Sequence, residues 1–182
     1  MPDPHPGSVY ELSHAEEAEN LATFAVLVDN EPGVLHRLVG LFAARGYNIE
    51  SLTVAETDRR AHTSRVTIVT RGTPQVLTQI EAQLEKMVSV RHVQDVTRDP
   101  HGLERELALV KVKSSGSERV EALRVSDIFR ARVIDTTHES FVFEVSGAPS
   151  KIDAFVELMR PLGLMELSRT GVLSITRGAE AM

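Results

Sequence analysis

The feature that most constrains the fold is an internal repeat with a spacing of 75 residues. Alternate strand positions, a Gly-x-Pro helix start and one helix face recur in register, namely Val66/Phe141, Ile68/Phe143, Thr70/Val145, Gly72/Gly147, Pro74/Pro149, Leu77/Ile152, Ile80/Phe155, Leu84/Met159 and Met87/Leu162. Because two periodicities and a turn match together, the repeat predicts one fold built twice.

The first copy shows the order βαββαβ. Hydrophobic periodicity and turn residues predict strands at 23–28, 48–55, 65–70 and 88–96, a helix from Val34 to Arg45 with Pro32 in its first turn, and a second helix capped by Thr73 and Pro74. A polar hairpin is expected at 56–64.

The second copy repeats this order after the breaker at 99–102. It predicts strands at 107–112, 133–137, 141–145 and 164–168, helices at 117–130 and 149–161, and one more strand at 172–175. Ser126 and Asp127 indicate an interruption in the helix at 117–130.

The fold class that follows is α+β, with two tandem ferredoxin-like domains. We expect a mobile acidic tail at 1–20, a first domain at 21–98 and a second at 99–182. Every residue of the strand at 24–28 is apolar, whereas an open sheet face leaves alternate residues polar. The sheet face away from the helices is therefore expected to be covered, by a second subunit, the other domain or a partner.

The charge argues against nucleic acid as a partner. Of 26 acidic and 20 basic residues, five acidic and no basic ones lie in the first 20, so the remainder is nearly neutral. Phosphate binding needs a basic excess. No apolar run reaches the roughly 18 residues of a membrane-spanning helix. The N-terminal residues lack the basic and apolar regions of a signal peptide, so a cytoplasmic location without membrane contact is expected.

No catalytic pattern stands out. The chain has no cysteine, its seven histidines show no helical metal-ligand spacing, and no glycine-rich phosphate loop is present. An acylphosphatase-like enzyme is the catalytic alternative on this fold, but the first strand–helix junction lacks the arginine that it needs. An RNA-binding sheet would need exposed aromatic residues on its strands.

The most informative segment is DNEPGVL at 29–35, between the first strand and the first helix. A helix N-terminus presents unpaired N–H groups that suit a carboxylate, and Gly33 lets a ligand approach the backbone. The Asn30 amide offers a donor and an acceptor, which suits an amino acid, although asparagine and Pro-Gly also form ordinary caps.

This turn is similar to the strand–helix turn of ACT domains, which bind amino acids at their pair interfaces. The run GLFAARGYNIESLTVA at 40–55 resembles the small, regulatory subunit of acetolactate synthase (acetohydroxyacid synthase). Shorter matches run through SRVTI at 64–68, LVKV at 109–112 and RTGV at 169–172, so that the resemblance covers roughly 23–178.

The resemblance implies a non-catalytic regulatory subunit. Members of this family bind and activate a large catalytic subunit and confer feedback inhibition, most often by valine, in valine, leucine and isoleucine biosynthesis. No cofactor is expected on this chain, which lacks a Gly-Asp-Gly signature. Thiamine diphosphate, Mg and FAD are expected on the catalytic partner.

The resemblance also implies an effector site between the ACT domains of a homodimer. Valine is expected to contact the turn of one subunit and the second strand of the other, at Asn30, Gly33, Val34, Leu35, Asn48 and Ile49. The amides of 33–35 would take its carboxylate. Pro32 stands where many relatives have serine. Since Lys113-Ser114-Ser115-Gly116 replaces the motif in the second copy, interaction or signal relay is assigned to that domain.

Two other functions stay open at this point: a free-standing amino-acid sensor that acts on a different protein, and a ferredoxin-like enzyme. Arg59, Arg60 and Arg65, around the hairpin, are candidates for docking an acidic partner surface. The residues leave open which branched-chain amino acid is preferred and the stoichiometry of the complex.

Overall fold

The fold is known from a computed structural model, which describes residues 18–58 and 60–179. The tail predicted at 1–20 lies outside these residues up to position 17, and so does Arg59. Within the described part, the chain forms two antiparallel sheets, each with two helices packed on one face. This is the predicted pair of tandem ferredoxin-like units.

The first unit contains β1 (Asn20–Asp29), α1 (Val34–Ala44), β2 (Ser51–Asp58), β3 (Thr63–Gly72), α2 (Pro74–Glu85) and β4 (Val90–Asp95). Its strands lie in the order β2-β3-β1-β4. The Thr73 hydroxyl caps α2 by accepting a hydrogen bond from Val76 N at 3.4 Å, as the Thr-Pro pair predicts. β2 is an edge strand of this sheet.

The second unit contains β5 (Gly102–Lys113), α3 (Gly116–Phe129), β6 (Arg132–Thr136), β7 (Ser140–Gly147), α4 (Pro149–Met159), β8 (Leu164–Arg169) and β9 (Leu173–Thr176). The order β6-β7-β5-β8 is that of the first unit. β9, the extra strand that the sequence predicts, pairs with the first four residues of β5. β5 therefore belongs to the second sheet and also carries the C-terminal strand.

The matched positions of the repeat lie in equivalent places in the two cores. Ile68 and Phe143 are fully buried on the helix side of β3 and β7, and Ile80 and Phe155 are fully buried on α2 and α4. Burial of one such side chain stabilises a fold by about 1.5–3 kcal/mol. The repeated pattern is thus a pattern of core packing.

The repeated glycine has a steric role. A Cβ on Gly72 would lie 2.9 Å from Val76 Cγ1, and a Cβ on Gly147 would lie 2.5 Å from Lys151 Cδ. In both units the strand end lies against the first turn of the following helix, and glycine permits this approach.

Part of the outer face of the first sheet is covered, as predicted, and β9 of the other domain contributes to the cover. Thr23 and Ala25 lie on this face and are 2 % and 0 % exposed. β9 lies against β1, and Val172, just before it, is buried. Packing within one chain therefore accounts for the burial of Thr23 and Ala25, while Leu21 on the same face is 46% exposed.

Three details of the sequence prediction are wrong. α3 is continuous, because the buried Ser126 hydroxyl donates to Leu123 O at 2.7 Å within the helix. Regular pairing of β2 with β3 begins at Ser51 and not at Asn48, so that 48–50 form a connection before the strand. α1 begins after Pro32, which lies in the preceding turn.

Candidate functional site

The turn before α1 is a type II β-turn. The Val34 N–H donates to Glu31 O at 3.2 Å, with Pro32 and Gly33 as the central residues. Gly33 has φ 83° and ψ −2°, the conformation that the third position of this turn requires and that glycine adopts without strain. The Pro-Gly pair therefore shapes a turn that ends at the helix N-cap.

The sequence assigns three backbone amides, those of residues 33–35, to an effector carboxylate, and in this turn they are not equally available. The Val34 N–H is already bonded within the turn, and the Val34 side chain is buried. The N–H groups of Gly33 and Leu35 have no acceptor within the part of the chain that the structure describes. These two donors lie at the N-terminus of α1, where the helix dipole favours negative charge.

Asn30 is exposed beside this turn, and both its backbone and its side chain form hydrogen bonds. Its backbone N–H donates to His62 O at 2.7 Å, and its side-chain Nδ2 donates to Glu56 Oε1 at 3.3 Å. An amide nitrogen that faces Glu56 leaves the Oδ1 atom as an acceptor. The Asn30 side chain is thus arranged to receive a donor such as an ammonium group.

Arg37 is a residue of this region that the sequence interpretation missed. Its Nη1 atom lies 3.6 Å from the position of a Cβ on Gly33. Its Nη2 atom forms an ion pair with Glu31 and lies 3.3 Å from Ser89 Oγ. The available signal was its spacing, since a residue four positions after Gly33 lies one helical turn further along α1.

Asn48 and Ile49 lie in the connection that precedes β2. The Asn48 carbonyl accepts a hydrogen bond from Thr70 Oγ1 at 2.5 Å, and its Nδ2 donates to Glu50 Oε1 at 3.0 Å. The Asn48 side chain is exposed, and Ile49 packs partly against the first core. This connection is therefore anchored to β3 while its polar side chain remains accessible.

The six predicted site residues form two groups at opposite ends of the sheet. Asn30 contacts Glu56, near the end of β2, whereas Asn48 and Ile49 precede its start. At about 3.3 Å per residue, the strand between Ile49 and Glu56 spans about 23 Å. A single chain does not bring these groups together around one small ligand.

The equivalent turn of the second domain is built differently. Ser115 is the N-cap of α3, its side chain makes no capping hydrogen bond, and Gly116 begins the helix with φ 54°. Lys113 stands where the first domain has Asn30, and its Nζ lies 3.6 Å from Glu139 Oε2. The amide and the type II turn of the first domain have no counterpart here.

Arg65 occupies a different environment from the exposed Arg60. It lies on β3 opposite Leu27 and Ala55, and its Nε and Nη2 atoms are buried without a hydrogen-bond partner. Burial lowers the pKa of this guanidinium. Docking of an acidic surface through the hairpin arginines stays a prediction, and Arg59 falls outside the described residues.

The described residues show neither a metal-binding cluster nor a membrane-spanning helix. Within 18–58 and 60–179, no group of three or more His, Cys, Asp or Glu side chains is placed to hold a metal ion. Over the same ranges, no helix is long and apolar enough to cross a membrane.

Comparisons with known proteins cover both domains. Residues 24–92 match the family model described as the AHAS small subunit-like ACT domain. Residues 105–178 match the family model described as the small subunit of acetolactate synthase. The two matches follow each other along the chain in the order of the two sheets.

Curated relatives and a solved structure agree with these matches. The chain is 46% identical over 156 residues to a probable acetolactate synthase small subunit of Archaeoglobus fulgidus, which covers 86% of this chain and 96% of the relative. It is 45% identical over 159 residues to the acetolactate synthase isozyme 3 small subunit of Escherichia coli, which covers 87% and 96%. The crystal structure of the Thermotoga maritima small subunit superposes with a TM-score of 0.78 at 35% identity, over 88% of this chain and 99% of that one.

Proposed function

Because the chain belongs to the family of acetolactate synthase small subunits, we propose that it is the non-catalytic regulatory subunit of that enzyme. It binds a large catalytic subunit, raises its activity and makes it sensitive to feedback inhibition by valine. The holoenzyme would serve valine, leucine and isoleucine biosynthesis in the cytoplasm. The observation that carries this proposal is the match of both domains to small subunits along nearly their whole length.

The proposal places the chemistry on the partner. Thiamine diphosphate, Mg and FAD belong to the large subunit, and this chain contributes binding energy and an effector site. Neither nucleic acid nor a membrane is proposed as a partner, since the charge outside the first 20 residues is nearly balanced.

The effector site is proposed to lie between two ACT domains. The free N–H groups of Gly33 and Leu35 bind the carboxylate of the amino acid, and Asn30 Oδ1 accepts a hydrogen bond from its ammonium. Asn48 and Ile49 of the second subunit complete the pocket. The separation of these two groups within one chain supports a pocket shared by two chains.

The exposed edge of β2 supports the same homodimer. One edge of β2 pairs with β3. Residues 54–58 of the strand are exposed, and Val54 is 44% exposed. An unprotected edge strand offers a row of backbone donors and acceptors to another chain. Pairing through this edge would bring the second subunit to the first sheet.

Reconstitution tests the proposed function. The purified chain is expected to form no acetolactate alone, to co-purify with a separately made large subunit and to raise its turnover. Calorimetric titration with valine, leucine and isoleucine then identifies the effector, with and without the large subunit. Turnover by this chain alone, or absence of complex formation, would contradict the proposal; amino-acid binding without complex formation would indicate a free-standing sensor.

Mixed dimers test the shared pocket. Asn30→Ala and Asn48→Ala chains should each lose valine binding as homodimers and keep stimulation. In a mixed dimer, one pocket carries both substitutions and the other carries neither, so half of the binding sites should return. The pocket is not shared in this way if the mixed dimers still fail to bind valine, or if the homodimers of either variant bind valine fully.

A further inference from the structure

The two domains meet at a short segment that we call the junction clasp, residues Thr170, Gly171 and Val172. The Val172 N–H donates to Ser51 Oγ at 3.1 Å, and Thr53 Oγ1 donates to the Thr170 carbonyl at 3.3 Å. Both hydroxyls belong to β2 and lie on the outer face of the first sheet. The edge strand of the ACT domain is therefore bonded directly to the second domain.

The junction clasp is closely packed against β2 at Gly171. Gly171 has φ 80°, and a Cβ at this position would lie 2.5 Å from Ser51 Oγ and 2.8 Å from Thr53 Oγ1. Contacts below about 3 Å force one side to move. Glycine at position 171 therefore permits this close approach of the clasp to β2.

On the ACT side, the clasp begins next to one group of the proposed effector site. Ser51 follows Asn48 by three residues, and Asn48 Nδ2 donates to Glu50 between them at 3.0 Å. Glu50 also faces Arg71 Nε at 4.0 Å. A ligand that accepts a hydrogen bond from the Asn48 amide would compete with Glu50 for this donor, immediately before the start of β2.

On the other side, the clasp is fixed to the core of the second domain. The Thr170 N–H donates to Leu107 O at 3.0 Å, and the Leu107 N–H donates to Thr170 Oγ1 at 3.1 Å. The neighbouring Arg169 bonds Glu106 on β5 and Asp153 on α4. The clasp is therefore bonded directly to β5, and its neighbour Arg169 is bonded to β5 and α4.

A cavity of about 520 Å³ lies beside these contacts and gives the junction room to open or close. It is lined from the ACT domain by Glu50, Leu52 and Arg71 and from the second domain by Asp153 and Arg169. The domains are thus joined at the clasp and separated by open space next to it. This arrangement favours a hinge over a fully packed interface.

We propose that the junction clasp carries the effector signal from the ACT domain to the second domain. This inference rests on the proposed function, because it needs an effector at Asn48 and Ile49. Occupancy of that site displaces the start of β2, and the Ser51 and Thr53 hydroxyls pass the displacement to residues 170–172. The effector shifts the equilibrium because it binds one arrangement of the junction more tightly.

The experiment separates binding from response in the holoenzyme. Thr53→Val removes the bond to the Thr170 carbonyl and keeps the side-chain shape, and Ser51→Ala removes the acceptor of the Val172 N–H. Thr57→Val is the matched control on the same strand, because Thr57 Oγ1 contacts Thr63 O within the ACT domain. Gly171→Ala wedges the clasp, and Gly116→Ala is its control, with positive φ and no atom within 4 Å of the added Cβ.

In Thr53→Val and Ser51→Ala, the affinity for valine measured by calorimetry should stay within about twofold of wild type. The valine concentration that halves the activity of the holoenzyme should rise at least about fivefold, which is the lower end of typical allosteric couplings. Thr57→Val and Gly116→Ala should keep both quantities. Amide hydrogen exchange at Val172 should change with valine in wild type and not in Thr53→Val.

Two outcomes would overturn the inference. One is full inhibition in both hydroxyl variants, and the other is loss of valine binding in proportion to loss of inhibition. Wild-type protein that neither binds valine nor stimulates the large subunit would instead reject the proposed function, before any variant is compared. The hydroxyl variants decide the question even if Gly171→Ala fails to fold.

Discussion

Arg169 donates two hydrogen bonds to the Glu106 carboxylate, from Nε to Oε1 at 2.8 Å and from Nη2 to Oε2 at 2.5 Å. Glu106 is 4% exposed, and Arg169 also bonds the exposed Asp153. These hydrogen bonds raise the pKa of the arginine above its usual range, and those to Glu106 have the largest effect. The pair joins β5 to β8 directly beside the domain junction.

Loss of this pair should destabilise the second domain. Arg169→Met leaves the Glu106 carboxylate buried without its partner, and we expect the free energy of unfolding to fall by about 3 kcal/mol. Urea titration measures the change. Lys111→Met is the control, because the Lys111–Glu166 pair is largely exposed and its loss should cost less than about 1 kcal/mol. Equal losses in the two variants would contradict the prediction.

Two glycines of the same region should respond to alanine with opposite signs. Gly33→Ala places an L side chain at φ 83°, which costs about 1–2 kcal/mol, and should weaken valine binding by disturbing the turn. Gly40→Ala lies within α1, has open space around its Cβ and should stabilise by about 0.5–1 kcal/mol. Thermal unfolding and valine titration of both variants check this pair. Stabilisation by Gly33→Ala would be inconsistent with the turn.

Arg37 is expected to strengthen effector binding through its charge. It lies beside Gly33, so Arg37→Met should lower the affinity for valine by about tenfold, the scale of one charge-assisted hydrogen bond. The difference from wild type should shrink at high salt. Arg45→Met, at the other end of α1 where Arg45 donates to Gln83 Oε1 at 3.0 Å, should leave the affinity unchanged. The idea fails if both variants bind alike.

Asp58 gives the β2–β3 hairpin a pH dependence. The backbone N–H groups of Ala61 and Arg60 donate to its carboxylate and hold its pKa below the usual value of 3.8. For an acid with a lowered pKa in the folded state, the stabilisation is present above the unfolded pKa and is lost as pH falls through the folded one. Wild type should therefore exceed Asp58→Asn in stability at pH 6, and this difference should begin to shrink near pH 4 and continue to shrink as pH falls through the lowered pKa of Asp58. Urea titrations at a series of pH values measure this difference; a gap that is constant with pH would exclude the carboxylate as its source.

The sequence predicts most of the architecture because the repeat joins signals that reinforce each other. The apolar residues Ile68 and Ile80 predict positions in the first core, and both are buried. Their equivalents in the repeat, Phe143 and Phe155, are buried in the second core. The apolar pattern of β1 also predicts a covered sheet face. It does not say what covers the face, since β9 reaches it through a contact between distant parts of the chain.

The prediction of the site is limited by backbone detail. Pro32 and Gly33 suit both a first helical turn and a type II turn, and only the Val34 to Glu31 hydrogen bond decides between them. Arg37 was missed because its spacing from Gly33 permits the contact but does not show that the side chain turns toward Gly33 rather than toward solvent. Ser51 and Val172 are far apart in sequence, so their hydrogen bond leaves no local pattern.

The placement of Asn30 and Asn48 at opposite ends of one sheet has a consequence for how such a sensor behaves on dilution. Under the proposed arrangement, a lone folded chain holds two incomplete half-pockets and no complete one. The apparent affinity for valine then depends on the concentration of the protein itself, and valine in turn promotes the association of chains. The concentration of the subunit would therefore determine its sensitivity to valine, just as the residues of the pocket do.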